Sequence, residues 1–123
     1  MRQVADTPSA NGAVLSTIVG SRYGYSQGTS MASPHTVGVA ALIVAEYGNK
    51  DRRHGGLKLN PDKVERILRR TATDTPCPEP RLFDYPEPAS GEQYTAFCDG
   101  PPQDNGFYGD GIVSAIGAVS GRH

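Results

Sequence analysis

No apolar run in this sequence reaches the roughly 20 residues that a bilayer crossing demands. The stretch after Met1 is polar rather than a basic segment followed by an apolar one, so neither a membrane span nor an export signal is expected in it. A charge excess is also lacking, since 12 Lys+Arg stand against 13 Asp+Glu for a net charge of −1. Without a basic surface, counterion release supplies little binding energy on nucleic acid, and such partners are disfavoured. Cysteine is scarce: there are two, Cys77 and Cys98, neither in a CxxC pair and with no histidine between them. Two thiolates alone make a poor zinc site, so no metal and no other cofactor is expected. Internal repeats are absent. A chain of 123 residues has material for one core and not for two.

Glycine and proline number 15 and 10, below the level of a disordered polymer but unevenly spread. Their clustering marks a Pro-rich loop over about 74–106, which contains both cysteines. A disulfide between Cys77 and Cys98 would close that loop and contribute about 3 kcal/mol by loop-closure entropy. Two unpaired buried thiols are the alternative. A bridge implies an oxidising compartment, which places the parent protein outside the cell or in its envelope.

Residues 13–19 (AVLSTIV) read as a short buried strand bounded by Asn11-Gly12 and Gly20, and SRYGYSQGTS reads as loop. Residues 30–47 form the most hydrophobic segment, apolar on all sides and ended by Gly48, as expected of a helix enclosed in something large. Pro34 within it predicts a kink or a late start. After a charged loop over 49–58, Asn60 as N-cap and Pro61 at the first helical position open an amphipathic helix. Its Val64, Ile67 and Leu68 share one face, and Glu65 and Arg69 form an i,i+4 pair. A short apolar segment over 112–119 has room for one or two helical turns. Strand, helix, helix is the order of a layered α/β domain of which only a part is present.

Chemistry concentrates in Gly28-Thr29-Ser30-Met31-Ala32-Ser33-Pro34-His35. A serine opening an apolar helix directly after a glycine turn has a backbone N–H free for an anion, which is half of an oxyanion hole. Such a serine is a nucleophile only if a base accepts its proton, and on its own it is more often a simple N-cap. No local base is evident. His35 lies five residues on, roughly 140° around a helix from Ser30. His54 and His123 read as exposed. The aspartates at 6, 51, 62, 74, 84, 99, 104 and 110 read as turn and capping residues without a histidine partner.

GTSMASPH, preceded by YGYSQ and followed by TVGVAALIV, resembles the signature around the nucleophile of the subtilisin-like serine peptidases, the S8 family. VLSTIVGSRYGY, LNPDKVERILRRTA and YGDGIVSAIGAV extend the resemblance over most of the chain. The Pro-rich loop and the tip at 50–56 stand outside it, and Ser114 stands where the family more often has Asp or Asn. The resemblance implies that residues 1–123 are the C-terminal part of a three-layer α/β catalytic domain with a parallel sheet, here incomplete. It implies that Ser30 is the nucleophile and donates its N–H to the oxyanion. Thr29 supports that site, Gly28 and Met31 adjoin it, and His35 is structural. The order Asp, His, Ser along such enzymes puts the other two catalytic groups and the oxyanion asparagine before this chain. The implied activity is endopeptidase action on polypeptides, with the isolated chain inactive and its partner the missing N-terminal part of the domain. A non-catalytic interaction or inhibitory module that kept the serine helix is the competing reading.

Overall fold

The computed structural model describes residues 13–85 and 93–120. The elements in order are β1 (Val14–Ile18), β2 (Arg22–Ser26), α1 (Thr29–Tyr47), β3 (Asn49–Lys50), β4 (Leu57–Lys58), α2 (Pro61–Thr71), β5 (Leu82–Asp84), β6 (Thr95–Phe97) and α3 (Ala115–Ser120). They fall into two compact units, residues 1–38 and 39–123.

In the first unit β1 and β2 form an antiparallel hairpin, with Val14 opposite Ser26 and Ile18 opposite Arg22. The sequence predicts one buried strand followed by a loop. Instead RYGYS is a second strand, and Leu15, Ile18 and Tyr23 are exposed. Val19, Gly20 and Ser21 connect the strands, and positive φ at Gly20 and Ser21 turns the chain tightly enough for the loop sequence to pair back.

α1 begins at Thr29 and runs unbroken for 19 residues, so the late start predicted from Pro34 does not occur. Proline this early removes only the bond its own N–H would give to the carbonyl of Ser30, a residue exposed in the first turn. Beyond Pro34, the Nδ1–H of His35 donates to the carbonyl of Met31 at 2.7 Å, which adds a bond beside the missing one. Of the α1 residues only Val39 and Ile43 are buried, while Val37 and Leu42 are 64% and 48% exposed. A helix apolar on all sides is thus covered on one.

The second unit includes α1 from Val39 onward. Val39 and Ile43 pack with Ile67 of α2 and Ala118 of α3, ringed by Tyr47, Leu59, Val64, Leu68 and Val113. α2 forms as its sequence dictates: Asn60 caps it by accepting from the N–H of Asp62 at 2.8 Å, and Pro61 occupies the first turn. The segment after the loop is helical only over α3, because Ile112 pairs with Thr73 through two main-chain bonds of 2.8 and 3.0 Å. Gly111 makes this possible, with φ of +113° and a position where a Cβ would run into the Thr73 carbonyl.

The described parts of the Pro-rich loop, 74–85 and 93–106, contain regular pairing. β5 and β6 pair antiparallel, Leu82 opposite Phe97, and the Cys77–Cys98 disulfide joins the flanks across a Cα–Cα distance of 5.7 Å. Buried Asn105 completes the frame: its Nδ2 donates to the carbonyls of Thr75 and Pro101, and its Oδ1 accepts from the N–H groups of Phe107 and Tyr108. Every strand pairing among the described residues is antiparallel and two-stranded, so the mixed helix and strand content of an α/β protein is present without a parallel sheet. Among the described residues no helix is long and apolar enough to cross a membrane.

Candidate active site at the start of α1

Gly28 sets the geometry of the serine. Its φ is +133°, a conformation that favours glycine, and its carbonyl accepts from the N–H groups of Met31 at 3.0 Å and Ala32 at 3.2 Å. Those two bonds make Gly28 the N-cap, with Thr29 and Ser30 as the first two helical residues. The N–H of Ser30 therefore lies outside the helical ladder, at the positive end of a 19-residue helix. Ser30 is exposed, and no described residue hydrogen-bonds to its hydroxyl. Ser30 is not the N-cap residue, because that position falls at Gly28, two residues earlier. Thr29 is exposed beside it, and Met31 is half-buried.

His35 is exposed and tied to the main chain of its own helix, which fits a structural role but not a core position. His54 does have an aspartate partner, contrary to the sequence reading: its Nδ1 lies 3.1 Å from Asp51 Oδ2. Asp51 also accepts from the N–H groups of Arg53 and His54 through Oδ1. The His54 contact, followed by these main-chain bonds, holds the carboxyl below the usual carboxylate range. This is a local turn clasp whose first and last partners are three positions apart, and an Asp opening a turn that ends in Gly55-Gly56 is the signal that marks it. His123 and Asp6 lie outside the described residues. No group of three His, Cys, Asp or Glu among the described residues is placed to hold a metal ion.

A shallow groove of about 390 Å³ runs along α2, lined by Asp62, Glu65, Arg66, Arg69 and Arg70. It is a solvated helix face. Arg69 bonds to Asp110, which chiefly raises its pKa, and more weakly to Glu65.

Comparison with known proteins bears on the serine. The sequence model of the subtilase family matches residues 5–109. The chain is 43% identical over 51 residues to the thermophilic serine proteinase of Bacillus sp. (strain AK1), a match covering 42% of this chain and 13% of that protein. It is 37% identical over 79 residues to the subtilisin-like serine protease Pen c 2 of Penicillium citrinum, covering 58% and 17% respectively. Alkaline protease 2 of Aspergillus fumigatus is 36% identical over 79 residues, covering 58% of this chain and 16% of that protein. The chain thus spans between 13% and 17% of the length of these curated relatives. No solved structure matches it. A match over so much of the chain, including the turn and helix that carry Ser30, means that the protein belongs to the subtilase family of serine proteases.

Proposed function

We propose that this chain is the nucleophile-bearing C-terminal part of a subtilisin-like endopeptidase domain, completed into a three-layer fold with a parallel sheet by polypeptide outside this sequence. The observation that carries the reading is the state of Ser30, whose hydroxyl and N–H have no hydrogen-bond partner among the described residues, at the start of a long helix. Ser30 Oγ attacks the scissile carbonyl carbon while its proton passes to an imidazole supplied from outside the chain. The resulting oxyanion accepts from the Ser30 N–H, assisted by Thr29. Collapse of the tetrahedral species returns the proton to the leaving amine and leaves an acyl-serine, which water then hydrolyses.

A serine hydroxyl without a general base is a weak nucleophile near neutral pH. The 123-residue chain alone should therefore hydrolyse neither casein nor a chromogenic peptide above a Ser30→Ala control, while the chain joined to a subtilase N-terminal part should hydrolyse both. Ser30-dependent turnover by the chain alone overturns the reading, because another residue would then be the base. The disulfide and the polypeptide substrates of the family together support action outside the cell or in its envelope.

A further inference from the structure

The β3–β4 hairpin concentrates positive charge in an otherwise acidic chain. Residues 49–58 hold four of the 12 Lys+Arg and one of the 13 Asp+Glu, leaving eight against twelve elsewhere. The single carboxylate, Asp51, points back into the turn, where two N–H groups and His54 occupy it. Lys58 reaches it only at 4.0 Å. Lys50, Arg52 and Arg53 are exposed and have no ion pair among the described residues. Arg69 and Arg81, by contrast, each lie against a carboxylate.

The loop that carries these cations has its main chain tied by hydrogen bonds. Asn49 pairs with Lys58 and Lys50 with Leu57, the N–H of Asp51 donates to Gly56 at 3.0 Å, and the N–H of Gly55 donates to Asp51 at 2.9 Å. Gly55 and Gly56 have φ of +76° and +74°, so the tip is a defined double turn. Holding Arg52 and Arg53 on a preformed turn lowers the entropy lost when their planar forks engage carboxylates two N–H groups at a time.

We propose that the 49–58 hairpin is an exosite that binds an acidic segment of a polypeptide. The proposal rests on the endopeptidase reading, which makes polypeptides the molecules the domain meets. A long polyanion fits less well, because beyond the hairpin it would run over a chain with twelve acidic and eight basic residues. A short acidic stretch can contact the cations and leave.

The test uses the full chain carrying Ser30→Ala, tethered sparsely to a biosensor surface so that turnover and self-association play no part. The probes are a Glu/Asp-rich peptide, a Gln/Asn peptide of equal length and a heparin fragment. The acidic peptide should bind more tightly than both of the others, and more weakly as salt rises. R52Q/R53Q should weaken it at least tenfold at low salt, whereas R66Q/R70Q on α2, with the same loss of charge, should leave it within twofold. Equal weakening by the two double variants, equal binding of the neutral peptide, or tighter binding of heparin overturns the proposal. Because the nucleophile is absent, failure here leaves the assignment of Ser30 standing, and failure of that assignment leaves this binding measurable.

Discussion

Gly28 and Ser30 divide the work at the start of α1. The glycine closes the turn and occupies the N-cap position, its carbonyl accepting the first bonds of the helix, so the serine two positions later is not the capping residue. The division makes Gly28 sensitive although nothing surrounds it: a Cβ there meets no atom within 4 Å, so Gly28→Ala costs only the left-handed backbone, about 1–2 kcal/mol. Hydrogen exchange should report faster exchange over the first turn of α1 in that variant, with the rest of the chain unchanged. Unaltered protection there would mean that the turn does not depend on glycine. Asp51 gives a second test at this scale. Its carboxyl sits below the usual range in the folded hairpin, so the stabilisation it lends is complete above the unfolded value and disappears as pH falls through the folded one. NMR titration should place the Asp51 midpoint below that of an aspartate in an unstructured peptide, with the N–H signals of Arg53 and His54 moving alongside it. Asp51→Asn should remove that coupled movement.

Elements differ in how much of them can be read locally. α2 was fully legible, because its start is written in Asn60 and Pro61 and its buried side in Val64, Ile67 and Leu68. β2 was not, because RYGYS alternates around a glycine and becomes a strand only once the positive-φ turn at Gly20 and Ser21 brings it beside β1. β5 and β6 were hidden by the prolines around them. The disulfide and the Asn105 bonds beside them span the loop and leave no periodic trace. Ser30 as nucleophile and Ser30 as cap look alike in the sequence, where only the family motif favours the first, and the structure adds that the N-cap position falls at Gly28. The disulfide carries the next expectation: Cys77→Ser with Cys98→Ser should cost the second unit about 3 kcal/mol, the closure entropy of a loop whose ends lie 21 residues apart. Differential proteolysis should find the 74–106 loop cut first in the double variant, while Ser30 chemistry in a completed domain stays within a few-fold of normal. Loss of that chemistry together with the loop would make the bridge part of the active-site scaffold.

At the scale of the whole molecule, the balance of covered and uncovered apolar surface is the main fact. One side of α1 meets α2 and α3, while Val37, Leu42, Ile116, Leu15 and Tyr23 remain exposed. Exposed apolar surface on this scale favours association. The chain alone should therefore self-associate at micromolar concentration and bind a hydrophobic dye, as ultracentrifugation and fluorescence will show. A soluble monomer with a sharp cooperative melt would instead support the self-sufficient interaction module.

A fluorophosphonate probe followed by peptide mapping tests whether Ser30 is a nucleophile whose base comes from outside the chain. The chain alone and its Ser30→Ala variant should both remain unmodified, and the chain joined to a subtilase N-terminal part should carry the probe on Ser30 and nowhere else. Ordinary-rate labelling of Ser30 in the chain alone, or an unlabelled Ser30 in a completed domain that cleaves peptides, would contradict the account.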